Sequence, residues 1–249
     1  MVATLLTGQT RIDSRMCRSP PLWGFGFILR RLRTVTSNDP IFYSLPASTM
    51  DDLHLSRGRY IQQYSSLEQI QVNVFAEAFR RNPDDSVDHF RKDLASFTFK
   101  KMVNSRSRGQ VLEKWLTGRT PEYTQFIRSL FKECAKVDAF RNHVSHWRPQ
   151  TRSVKMQNTV KSVVILVDDF LSIPPISIPE IEYEAGRIRL VQSGFSAWYH
   201  HIRGEQTDRL SLEALLQIVQ RPLPYPPTRD HPLVRNAIIR IPQQPPSLP

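Results

Sequence analysis

Between Pro121 and Pro149 the apolar side chains fall on one helical stripe, and that stripe contains an arginine. Ile127, Leu130, Cys134, Val137, Arg141 and Val144 recur at alternating steps of three and four residues, the period of a single buried helix face. The helix has defined ends. Pro121 suits a first turn after the break at 118–120, and Pro149 pushes Arg148 out of helical geometry. Arg141 therefore belongs to the buried face, where an unpaired charge costs on the order of several kcal/mol. It needs a partner or a ligand. His143 and His146 follow in the last turns of the same helix.

The flanking segments predict more helix. Ser48 or Thr49 caps a helix running to about Arg81, with Tyr60, Tyr64, Leu67, Val74 and Ala78 along one side and Glu68 beside them, and the turn at 82–86 closes it. A short segment, 87–94, leads into a second helix from about Ser96 to Leu116, ended by Gly118. A fourth helix is predicted over 153–171, where Met156, Val160, Val163, Val167 and Phe170 keep helical spacing against a β-branched propensity. After a proline linker the period changes from 3.6 to 2. Glu180–Ala185 and Arg187–Gln192 flank Gly186 as a hairpin, Phe195–Ile202 is a candidate third strand, and Ser211–Gln220 reads as a final helix.

The expected fold is mainly α: a four-helix bundle over 48–172, then a small β-hairpin and a C-terminal helix over 173–220. Residues 1–47 are arginine-rich and acid-poor. They read as a disordered or non-native extension, with a transit peptide as the alternative. Residues 221–249 form a proline-rich tail, expected to be extended and mostly unpacked, with Leu233–Ile241 as its one candidate edge strand.

With 249 residues, 40% of them hydrophobic, the chain can bury one core, and no run approaches the roughly 18 apolar residues of a membrane span. Cys17 and Cys134 are too far apart for a disulfide framework or a metal-ligand spacing, which fits a reducing, cytoplasmic interior. A net charge of +11 points to a polyanionic partner, nucleic acid above all, although arginine-rich ends alone can give the same total. Guanidinium binds phosphate in a planar fork, and imidazole exchanges a proton near neutral pH. Arg141 and His146 together suit phosphodiester chemistry that needs no metal or cofactor. A metal site from His143, His146, His200 and His201 is a weaker alternative, because no acidic or thiol ligand lies nearby in sequence.

The sequence Arg141-Asn142-His143-Val144-Ser145-His146, at the end of the third long helix of a bundle, resembles the HEPN domain. Members of that family carry an arginine, usually followed by a polar residue, then a histidine after four to six intervening residues. The resemblance covers about residues 50–172, and the hairpin with the last helix is similar to an appendage found on some members. It implies a metal-independent endoribonuclease of a toxin or antiphage type, with the motifs of two subunits meeting in a dimer cleft and a possible antitoxin or regulatory partner. The 2′-hydroxyl of RNA would attack the adjacent phosphate and leave a 2′,3′-cyclic phosphate. His146 would act as general acid or base, Arg141 would stabilise the phosphorane charge, and Asn142 would position it.

Glu68, His143 and Arg148 are supporting residues in this reading, with Glu68 a candidate partner for Arg141. Arg148 occupies the place where one subgroup has a modified tyrosine, so regulation by that route does not carry over. Positions five apart on an ideal helix differ by about 140°. Arg141 and His146 therefore share a face only through local distortion or a second subunit, and a homodimer is expected. The other class of function is a non-catalytic dimeric module that binds nucleic acid or a nucleotide as a sensor or regulatory partner.

Overall fold

The chain's computed structural model describes residues 44–77, 86–101, 105–155, 159–168 and 174–245. Residues 1–43 of the extension expected at 1–47, most of the turn at 82–86 and part of the linker before Pro179 lie outside the described residues. The core is built on three long helices: α1 (Met50–Glu77), α4 (Thr124–His146) and α5 (Ile178–Arg203). Helices α2 (Ser86–Lys101) and α3 (Ser105–Arg119) pack on α1 and α4 respectively, and α6 (Leu212–Val219) packs on α5. The fold is mainly α, with a small antiparallel sheet and a C-terminal helix. No helix among the described residues is long and apolar enough to cross a membrane.

The stripe on α4 is buried as its spacing predicts: Ile127, Leu130, Val137 and Val144 have no exposed surface. A 3-10 turn at Pro121–Tyr123 opens the helix, and Trp147 leaves it in an extended conformation just before Pro149. The segment expected as one helix from Ser96 to Leu116 contributes to two, α2 and α3. Phe99, Leu112 and Leu116 still reach the core, so the apolar positions were legible.

The helix expected over 153–171 is instead a hairpin. Strand β1 (Arg148–Lys155) pairs antiparallel with β2 (Val160–Val167), from Arg148 opposite Val167 to Lys155 opposite Val160, and β3 (Ile176–Ser177) adds to the other side of β2. Both faces of β2 are covered. Val164 and Leu166 enter the main core, while Val163 and Ile165 form a second cluster with Val154 and Leu45. A strand buried on both faces shows no alternation, so its apolar run cannot be told from helix by period. Leu45 also brings the end of the expected extension into the fold, where Ser48 N–H donates to the Ser162 carbonyl at 3.0 Å.

The hairpin expected at 180–192, with its third strand at 195–202, is the single helix α5. Ser177 and Glu180 form a capping box, and Gly204 at φ 64° ends the helix in the left-handed region. Gly186 is not a turn residue; a Cβ there would lie 2.5 Å from the Tyr225 hydroxyl. Gly194 has the same role against Leu130 and Leu223, each 2.8 Å from the added carbon. These glycines let the C-terminal segment and α4 lie against α5.

That close approach corrects the reading of the tail. Leu223 and Leu233 are fully buried, and the Leu223 N–H donates to Ser129 Oγ at 2.7 Å. The stretch expected as an edge strand opens instead as a four-residue helix, α7 (Pro232–Arg235), capped by buried His231, whose Nδ1 accepts from Leu233 N–H at 3.3 Å. Prolines here fix the path of a chain that packs.

Leu223→Ala is expected to cost about 2–5 kcal/mol, seen as a fall of several degrees in the melting temperature. An unchanged melting temperature would show that the tail lies outside the core. Burial lowers the His231 pKa below the ordinary histidine value. Stability should therefore be full above about pH 6.5 and decline as the pH falls from there toward the folded-state value. His231→Asn keeps an acceptor for the Leu233 N–H and removes the titration, so melts compared at about pH 7.5 and 5.5 should show a smaller acid loss in the variant. His201, shifted the same way by burial, leaves a residual loss.

Candidate functional site

The C-terminal half of α4 lies against α1, and this contact sets the position of the motif. Tyr60 and Tyr64 of α1 are buried beneath it: the Tyr60 ring meets Phe140 at 5.4 Å, and the Tyr64 hydroxyl donates to Asp138 Oδ1 at 2.9 Å. One turn earlier on α1, the Arg57 guanidinium donates to the Ser145 carbonyl in the last turn of α4. Such a bond satisfies a carbonyl that a helix end leaves without an intrahelical partner.

Arg141 is half-buried, as its place on the stripe requires. Its guanidinium carbon lies 5.4 Å from the centre of the Tyr64 ring, and its Nη1 donates to Asn142 Oδ1 at 3.2 Å. Its Nε is buried and makes no hydrogen bond. The cation is thus held by an aromatic face and a neutral amide, with one edge of the guanidinium unspent. Glu68, the expected partner, is elsewhere engaged. Its Oε1 accepts from Arg108 Nη2 of α3 at 2.5 Å, which removes it from the motif.

Asn142 and His146 are both exposed and lie one turn apart on one face of α4. The helix runs undistorted through the motif, so Arg141 faces α1 while His146 projects from a different side. One chain brings Arg141 to Asn142 and does not bring it onto the His146 face. His143 stacks on Trp147, with ring centres 4.7 Å apart and planes inclined by 19°. Arg148 is exposed at the first position of β1, next to the motif's end.

The exposed face continues back along the helix as Arg128, Lys132, Ala135, Ala139, Asn142 and His146, at steps of four and three. This stripe is the solvent-side complement of the buried one and was legible in the sequence by the same period. Its part from Arg128 to Asn142 forms one wall of a groove of about 650 Å³ between α3 and α4, to which Arg106 and Gln110 also contribute. The weaker metal reading is not assembled. His201 bonds the Tyr123 hydroxyl at 2.9 Å, at the start of α4 and roughly 35 Å along the helix from His146. Among the described residues no group of three or more His, Cys, Asp or Glu side chains could hold a metal ion.

A scan against known protein families and searches of curated proteins and of solved structures found no match.

The reassignment of Glu68 has a direct check in double-mutant cycles read by chemical denaturation. Glu68→Gln and Arg108→Ala are expected to couple by a few tenths to about 1 kcal/mol, since the pair is partly exposed. Glu68→Gln and Arg141→Ala should be additive. Coupling to Arg141 in place of Arg108 would restore the pairing that the structure rejects.

Proposed function

We propose that this chain is an endoribonuclease that acts as a homodimer and cleaves RNA by 2′-hydroxyl attack, with Arg141, Asn142 and His146 as its catalytic residues. The observation that carries the reading is that Arg141 has no carboxylate partner among the described residues. A half-buried guanidinium that rests on a tyrosine ring and is bonded to one neutral amide is held in place with its charge still available to a phosphate, which its Nη groups would meet. Asn142, bonded to it, sits on the exposed face with His146, so one amide links the charge-binding edge to the proton-transfer face.

Proton transfer and charge stabilisation then fall to different surfaces of α4, and a second copy completes the site. In each composite site His146 would exchange a proton with the 2′-hydroxyl or the leaving 5′-oxygen. Arg141 would meet the charge that builds on the phosphorane oxygens, where a preorganised donor is worth most. The chemistry needs no group from outside the chain, because RNA supplies its own nucleophile. A neutralising antitoxin or other regulatory protein would act by covering this face.

Incubated with single-stranded RNA in EDTA, the wild type should cut and leave 2′,3′-cyclic phosphate ends. His146→Ala should lower the rate by roughly 10² to 10⁴-fold with RNA binding retained, since a general acid or base acts on the transition state. Arg141→Lys keeps the charge, loses the fork and should not restore the rate. Strict dependence on added Mg²⁺ or Mn²⁺, or an unchanged rate for His146→Ala, would contradict the mechanism and favour a module that binds RNA without cutting it.

A further inference from the structure

We infer that the groove between α3 and α4 is the track for the RNA strand, binding its phosphates along the helix that carries the motif. The inference rests on the ribonuclease reading for the identity of the polymer and on the groove itself for the path. Arg106 on one wall and Arg128 and Lys132 on the other bring three cations to the same cavity, and Asn142 closes its motif end. Arg128 and Lys132 are exposed on α4. From Arg128 to Asn142 the helix rises about 21 Å, long enough to run beside several phosphates of a single strand.

The rest of the lining suits a strand with unstacked bases. Gln110 and Asn142 offer amides to base edges, and the Glu113 carboxylate can accept from an exocyclic amino group. Asp138, the other acid in the groove, already accepts from the Tyr64 hydroxyl. Below the rim Cys134 is buried beside Asp138, its thiol pKa pushed up by that burial, and Gln71 Nε2 donates to its sulfur at 3.5 Å. Phosphate would meet the three cations at the rim, which outnumber the two carboxylates of the groove.

The test is the salt dependence of binding to a fluorescent, fully 2′-O-methylated single-stranded RNA of about a dozen nucleotides, which cannot be cut by 2′-hydroxyl attack. Arg128→Ala with Lys132→Ala should weaken binding and flatten the plot of log affinity against log salt by about 1.4, near 0.7 for each lost phosphate contact on a single strand. A control pair of equal charge, Arg209→Ala with Arg229→Ala, should leave the slope at the wild-type value. An equal change in both pairs, or none in the first, overturns the track. If the wild type cuts ordinary RNA while the slope stays fixed, only the track fails. If the slope falls as expected and no RNA is cut, the track stands and the ribonuclease reading fails.

Discussion

A buried pair of opposite charges, Glu133 on α4 and Arg187 on α5, locks together the two helices on which everything else is arranged. Both side chains are almost fully buried, and the Arg187 guanidinium donates to Glu133 and, through Nε and Nη2, to Glu184. Lys136 adds a second cation on Glu133 at 2.8 Å, so two carboxylates face two cations. Burial works against the charge on Arg187, and the bonds to Glu184 and Glu133 overcome it and raise its pKa. Such a cluster adds little stability over a well-packed apolar core, yet removing one partner strands a buried charge and costs roughly 3–5 kcal/mol. It thus fixes the register of α4 on α5 more than it strengthens the contact.

The C-terminal segment is read off the same cluster. The Tyr225 ring lies 4.4 Å from the Arg187 guanidinium carbon, and its hydroxyl donates to the Tyr183 carbonyl. Gly186 leaves the space in which that hydroxyl sits. One ion cluster therefore ties α4, α5 and the tail. With the middle of α4 fixed in this way, its C-terminal half meets Tyr60, Tyr64 and Arg57 of α1. The motif's geometry follows from that clamp, with Arg141 turned to Tyr64 and Asn142 and His146 turned to solvent.

What the sequence made legible follows which physical signals are local. The α4 stripe and the stop before Pro149 are local, and they place Arg141, Asn142 and His146 correctly on one helix. Helix α6 was equally plain. The strand β2 was hidden because the sheet buries both of its faces, and α5 because charged residues alternate through its first turns while Gly186 mimics a turn. Its Ser177-to-Glu180 capping box is the local signal that marks a helix start there. The partners of Arg141 and Glu68 depend on how three helices dock, which no window of sequence contains. The tail was misjudged for a related reason: proline content reports a rigid path, and whether that path packs depends on the glycines opposite it.

The central claim is that a complete site draws Arg141 from one chain and His146 from the other. It is tested most directly by mixing two inactive variants, Arg141→Gln and His146→Ala, under conditions that allow subunit exchange, and measuring RNA cleavage. A mixed two-fold dimer would hold one site with both residues and one with neither, so an equal mixture should recover about a quarter of the wild-type rate. A mixture as inactive as its components, with exchange confirmed by mass, would contradict the account and place the whole site within a single chain.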